Sequence, residues 1–473
     1  MASEKELQQF YIGQDIITVP KPAAILDAAI IRRHCREMLE TIQLLNVGFR
    51  AHIKSHKTTQ IASLQVSTNP TLTANFIVST ILELETLLPL LLQFKAQNRA
   101  FNVLYGIPLA PSHVQRLAEI ALDLSVAESI SVIIDHPTQL DHLQQFWSTI
   151  TKPPVIGVFL KVDTGYHRAG LPPTALNKSH LVERIVEAER AGVVKLLGVY
   201  SHSSLSYAAT TPEEAMMHLV SEIEGCKDAL RLHANLLSPV PLDKGKKREV
   251  VISVGATPQI LSSRYLLLPH GNESPEAAAL RQALRVQEIS PSLEVKIEFH
   301  AGVYTLLDMQ QFSTNASVSA ALSERSPKTE IAISILTEVC SIYNDGERET
   351  PEALLAAGTL ALGREPCASY SGWGVLSSWK RQTSNDDRLI VARISQEHAI
   401  VSYESGGDGR IPLSVGQIVK IFPNHACVAG AFYNHYFVVD SELDPNAAKI
   451  VDVWVRAKGS DEITSRLSRS RNQ

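Results

Sequence analysis

Residues 48–57 read Gly48-Phe49-Arg50-Ala51-His52-Ile53-Lys54-Ser55-His56-Lys57, and they predict a β-strand, Gly48–Ile53, that runs into a dense cationic turn. Side chains along a strand alternate between faces. Continued extension would put Arg50, His52, Lys54 and His56 on one side and Ala51, Ile53, Ser55 and Lys57 on the other. Lys54 then sits among polar side chains. A lysine with cationic neighbours, desolvated in a pocket, gives up its proton readily, as an amine must before it can form a Schiff base. Taken alone, such a run is more often a solvated basic loop; its surroundings decide between the two.

Working outward, further short β-branched or aromatic runs follow at Asn75–Ser79, Phe101–Tyr105, Ile130–Asp135, Val155–Val162, Leu196–Ser201, Val250–Val254 and Leu293–His300. Helical patterns separate them, including Leu82–Lys95, Ser112–Ser125, Thr174–Ala191 and Pro212–Leu232, and Ala23–Leu45 ahead of the first strand also reads as helix. This alternation predicts the α/β class, and eight parallel strands with helical crossovers close into a (β/α)8 barrel, here spanning 23–300. Such a barrel carries its chemistry at the C-terminal strand ends. Those ends are polar and glycine-rich: Lys161–Gly170 after strand five, Tyr200–Tyr207 after six, Ser253–Pro258 after seven and His300–Tyr304 after eight. Small residues after the last two strands suit backbone N–H contacts to a phosphate, so a phosphorylated cofactor fits.

Past residue 300 helical periodicity gives way to alternating stretches, Glu330–Val339, Leu389–Ile394, Ala399–Tyr403, Gln417–Ile421 and Tyr436–Val439. They predict a β-rich second domain over 301–458, with an N-terminal extension, 1–22, packing against it and a polar tail over 459–473. Ser238–Arg248 and Ser313–Thr329 are expected to be exposed, mobile excursions. In the second domain Pro423-Asn424-His425-Ala426-Cys427 follows an apolar strand. If extended, the segment presents the imidazole of His425 and the thiol of Cys427 to one point, a pairing that suits zinc. A structural zinc needs four protein ligands, whereas two leave positions open for substrate. The alternative is a packed cysteine beside an unrelated histidine.

Bulk composition narrows the function classes. The chain has 473 residues, 45% hydrophobic and 20% charged, with a formal net charge of −5. No basic patch suggests a nucleic-acid partner. No apolar run is long enough to span a bilayer, and the polar start MASEKELQQF lacks the core of a signal peptide, so a cytoplasmic location is expected. Five scattered cysteines without CxxC spacing argue against a disulfide framework.

The blocks Arg50–Lys57, Lys161–Gly170, Tyr200–Tyr207, Ser253–Pro258, His300–Tyr304, Asp308–Gln311, Ala361–Pro366, Ser395–His398 and Pro423–Cys427 together give the chain a resemblance. It is similar to the zinc- and pyridoxal-phosphate-dependent D-serine dehydratases, relatives of D-threonine aldolase and, more distantly, of alanine racemase. The resemblance implies a pyridoxal-phosphate-binding barrel with Lys54 as Schiff-base lysine and catalytic base. It places Tyr166 and Arg168 at the pyridine ring or its phenolic oxygen and His202 near the ring. Gly255, Thr257, Gly302 and Tyr304 would hold the phosphate, and His425 and Cys427 the zinc. The implied reaction is loss of water from a D-β-hydroxy amino acid, D-serine first, to a keto acid and ammonia. A head-to-tail homodimer, with the β-domain of one subunit covering the other's barrel mouth, is implied as well.

Where the family usually has Pro, Asn and a His- and Gly-rich loop, this chain has Ala51, Val303 and Ser203-Ser204-Leu205. Val303 and Leu205 bring apolar surface toward the phosphate and the substrate mouth, which would suit a larger β-hydroxy amino acid. Three other activities stay open. Retro-aldol cleavage would use the same lysine and metal, a racemase would need a second base and no metal, and a non-catalytic pyridoxal-phosphate carrier would need the barrel alone.

Overall fold

In the computed structural model, residues 2–237, 247–268, 273–316, 325–377 and 388–458 are described. The expected tail, 459–473, most of Ser238–Arg248 and the middle of Ser313–Thr329 lie outside the described residues.

All eight expected barrel strands form: Gly48–His52, Ala74–Val78, Phe101–Pro108, Ile130–Ile134, Ile156–Lys161, Val194–Tyr200, Arg248–Val254 and Leu293–Ala301. Each pairs in parallel with the next, and the last returns to the first, setting Glu298–Ala301 opposite Gly48–Ala51. The strands are covered on both faces, which is why runs such as Ile130–Ile134 are almost wholly apolar. Outward residues such as Val78, Val103 and Val158 join the large core beneath the helices, while Ile77, Leu104, Ile133, Phe159 and Tyr200 form a separate cluster inside the barrel.

Charge closes the seam. The Arg50 guanidinium donates from Nε to Glu298 Oε1 at 2.7 Å and from Nη1 to Asn102 Oδ1 at 2.5 Å and Phe76 O at 3.3 Å, and lies 5.2 Å from the Phe159 ring centroid. The second Glu298 oxygen accepts from Asn75 Nδ2 at 3.0 Å.

The second domain is mostly antiparallel. Ile333–Tyr343, Glu352–Leu355, Ala399–Tyr403, Leu389–Ile394, Gly374–Leu376 and Ile418–Pro423 form a closed ring of strands that ends where it began. Three of these strands follow the expected alternation closely; Glu352–Leu355 and Gly374–Leu376 are too short to announce themselves. The sheet continues through Ala23–Asp27, His435–Val439 and Asp452–Val455.

Ala23–Asp27 corrects the expectation of one helix over Ala23–Leu45 and of a barrel beginning at 23. It is a strand of the second domain, antiparallel to Ile333–Leu336 and parallel to Phe437–Val439. The helix, Ala28–Leu45, starts only after Asp27, whose side chain accepts from Ala29 N at 3.0 Å as an N-cap. Helical periodicity continues through the strand, so only the cap marks the change. Residues 2–22 pack on this sheet: Gln8 Nε2 donates to Asp452 Oδ1 at 2.8 Å, and the Tyr11 ring meets Phe437 edge-on at 4.9 Å. No helix among the described residues is long and apolar enough to cross a membrane.

The seam pair yields a stability test. Glu298→Ala leaves the Arg50 cation buried without its partner and is expected to cost about 3–5 kcal/mol in denaturant unfolding. The double variant Arg50→Met/Glu298→Met should cost less than that single change, because no uncompensated charge remains.

Candidate active site

The C-terminal ends of the barrel strands open into a cavity of about 400 Å³ whose far wall comes from the second domain, within the size range of small-molecule sites. Eight expected residues line it: Lys54, Tyr166, Arg168, His202, Thr257, Gly302, His425 and Cys427. Gly255 stands just behind, its carbonyl accepting from His202 Nδ1 at 2.6 Å. Tyr304 is buried away from this cavity, edge-on to Phe49 at 5.9 Å. It faces the helix Ala28–Leu45, where it borders a smaller cavity with His34 and Met38. An aromatic after the eighth strand looked like a phosphate contact in sequence; the turn Val303–Thr305 instead points it into the core.

The cationic stretch divides where the strand ends. Extended pairing stops at His52, Lys54 follows in a turn, and the shared face expected for Arg50 to His56 does not persist. His56 turns back into the core, with Nε2 3.0 Å from Gln65 Oε1. Lys57 is taken up by the buried carboxylate of Glu83 at 2.8 Å. Lys54 is thus the lysine of this stretch that reaches the cavity. Burial holds its ammonium below the ordinary lysine range against the opposing pull of Cys427, with Arg168 adding to the depression.

Three imidazoles, His52, His202 and His300, wall the cavity beside it. His300 stacks on Tyr200 with ring centroids 4.5 Å apart, its Nδ1 lies 3.2 Å from Ser253 Oγ, and its Nε2 lies 3.3 Å from His202 Nδ1. Burial pushes all three well below the ordinary imidazole range, and positive neighbours, Lys54 among them for His52 and His202, push further in the same direction. These rings are neutral at physiological pH.

On the opposite wall His425 and Cys427 come together by a different geometry from the extended one expected. The strand ends at Pro423, His425 is the N-cap of the helix Ala426–Ala431, and Cys427 lies in its first turn. Burial and the nearby Asp308 carboxylate push the Cys427 thiol up to about 11. His425 Nδ1 lies 3.9 Å from Glu365 Oε2, near but beyond hydrogen-bond distance.

The residues fit a phosphorylated aldehyde cofactor and a metal. The Thr257 hydroxyl is buried on the cavity wall without a hydrogen-bond partner, as a phosphate contact would require. Gly302 allows a close wall, since a Cβ there would lie 2.7 Å from His52 O, and Gly255, at φ +131°, could carry one only 2.9 Å from His300 O. Sequence reasoning passed over His52, His300, Tyr207, Asp308, Gln310 and Glu365 as site residues. Position at a strand end could have flagged the two histidines and Tyr207, and Asp308, Gln310 and Glu365 lie in blocks that carry the family resemblance.

Residues 26–240 match the family described as "Alanine racemase, N-terminal domain", and residues 332–439 that described as "Putative serine dehydratase domain". D-serine dehydratase of Schizosaccharomyces pombe is 31% identical over 97% of this chain and 96% of its own, and that of Saccharomyces cerevisiae 27% identical over 94% and 97%. The solved D-threo-3-hydroxyaspartate dehydratase of Delftia sp. superposes with a TM-score of 0.69 at 23% identity, covering 94% of this chain and all of that one. The same protein has been solved as a cysteine-to-alanine variant in a metal-free form.

The buried imidazoles make stability depend on pH. Their folded pKa values are depressed, so the unfolded chain binds more protons below about pH 6.5. The stability they contribute is complete above that pH and is lost as pH falls toward the folded value, about 3 for His56. The thermal midpoint should therefore drop between pH 7.5 and 5.5, and His56→Gln should flatten part of that slope in a melting series.

Proposed function

The chain belongs to the D-serine dehydratase family, and from that premise we propose that it is a carbon–oxygen lyase that removes water from D-serine, or a close D-β-hydroxy amino acid, to give a keto acid and ammonia. The observation that carries this reading is the convergence of the Lys54 amine from the barrel and the His425 and Cys427 side chains from the second domain on one cavity.

When bound, pyridoxal phosphate supplies an electron sink for charge at Cα and zinc supplies Lewis acidity toward a β-oxygen. Thr257 and Gly302 would hold the phosphate, Tyr166 and Arg168 the ring side of the cofactor at the rim, and His425 and Cys427 the metal. Lys54 would hold the cofactor, and its free amine would be the base that takes the Cα proton. Burial lowers its proton affinity, which favours the free amine. Because this base approaches from one side, turnover is confined to one enantiomer, the D form. His52, His202 and His300 wall the site without adding charge. The protein acts in the cytoplasm as a homodimer, in keeping with the preference of soluble oligomers for two-fold symmetry. Val303 on the cavity wall favours acceptance of β-substituents larger than hydrogen.

A panel of D-serine, D-threonine and D-threo-3-hydroxyaspartate, with their L forms as controls, tests the reaction. The expected products are keto acid and ammonia from D substrates only; glycine and an aldehyde as main products would overturn dehydration. Lys54→Ala should lose both turnover and the bound-cofactor absorbance, and chelation should lower elimination about tenfold or more with the cofactor retained.

A further inference from the structure

We propose that Asp308 is the positioning residue of the metal pair: a carboxylate from the segment leaving the barrel that holds the turn bearing His425 and Cys427 so that both can reach one ion. The inference rests on the reading of those two residues as zinc ligands and concerns what arranges them.

Asp308 is 1% exposed and lines the cavity. Its Oδ1 accepts from Gln311 N at 2.8 Å, capping its own helix, Met309–Ser313. Its Oδ2 accepts from Ala426 N at 2.7 Å, the amide that stands between the two proposed ligands. Two residues before Ala426, Asn424 O accepts from Gln310 N at 3.1 Å, so segment 308–311 grips the turn on both sides of His425. The far flank is held as well: Asn424 Nδ2 donates to Glu365 O at 2.9 Å and Gly372 O at 2.8 Å, and its Oδ1 accepts from Tyr370.

The need for an outside acceptor follows from the helix that starts here. A helix opens with unsatisfied amides, which an N-cap side chain ordinarily accepts from. His425 occupies the N-cap position of Ala426–Ala431 but makes no capping bond. Asp308 supplies an acceptor for the first of those amides, which leaves the imidazole free to bind something else. Both Asp308 oxygens accept from backbone amides, one on each side of the junction between the two segments. Asp308 completes no cluster of three or more His, Cys, Asp or Glu in metal-holding geometry among the described residues. It therefore acts on the metal through the turn.

The test measures zinc affinity on the cofactor-loaded protein by competition with a chromogenic chelator, together with the thiolate-to-metal absorption of the cobalt(II) form. Asp308→Ala is expected to weaken zinc binding 10–100-fold, roughly the range for outer-shell partners of metal ligands, and to alter the cobalt spectrum while cofactor content stays at the wild-type level. Asp308→Asn, which keeps one acceptor, should fall between. Unchanged affinity and spectrum in Asp308→Ala, or in Asp308→Asn should the alanine variant not fold, would overturn the proposal. Wild type and Cys427→Ala separate the two readings. A wild type that binds no zinc removes the metal assignment and this inference with it. Wild type that binds, Cys427→Ala that does not and Asp308→Ala that binds normally would remove this inference alone.

Discussion

The contact on which the rest of the molecule depends is the pairing of the first barrel strand with the last. Closure brings Arg50 and Glu298 face to face inside the barrel, where neither charge could remain without the other. The same seam carries Ala51 and His52 past Ala301 and Gly302 at a spacing that leaves no room for a side chain on Gly302. Two segments leave the barrel from that seam: the turn that lifts Lys54 into the cavity, and the chain that descends through Asp308 into the second domain. Lys54 and Asp308 line one cavity because the barrel closes there.

The two halves of the chain are interleaved. The polypeptide enters the second sheet at Ala23–Asp27, crosses to the barrel through Ala28–Leu45, and returns only after Ala301. Near the C-terminal end of the described residues, Ala457 N donates to Lys57 O at 2.9 Å, tying the last strand to the turn that carries Lys54. With Asp308 gripping Ala426 on the other side, the cavity wall from the second domain is fastened to the barrel at both ends of its chemistry. A site assembled from two halves needs such fastening, since misplacement of reacting groups by about 1 Å can cost a hundredfold in rate.

Burial sets the charge state of the site. It disfavours every ionised form, so Lys54 sits below its usual range, the three imidazoles are neutral and the Cys427 thiol is held up. A divalent cation is the natural counterweight on the cysteine side, because a coordinating thiol is deprotonated by the metal's own charge. The lysine side needs no such help. The neutral amine that nucleophilic and base chemistry require is the form that burial favours.

Sequence by itself determined the barrel. Its eight strands are covered on both faces, so their apolar runs and the helical spacing between them were readable residue by residue, and the polar strand ends already pointed to Lys54, Arg168, His202 and Thr257. The pair His425 and Cys427 was legible from its two-residue spacing, although the extended geometry expected of it gives way to a helix start. Other assignments followed contacts between residues far apart in the chain. Local periodicity ran unbroken through Ala23–Asp27, and only pairing with Ile333–Leu336 and Phe437–Val439 makes that segment a strand. The strand alternation that set Lys54 and Lys57 on opposite faces ends at His52, and what separates the two lysines in the fold is Glu83, on the helix Ile81–Ala96, which claims Lys57. Tyr304 belongs to the core because Ala28–Leu45 packs over it, and Asp308 matters because Ala426 arrives more than a hundred residues later. Short-range patterning is written into neighbouring side chains, whereas burial and hydrogen-bond partnership depend on which distant segments the fold brings together, and that only the tertiary structure decides.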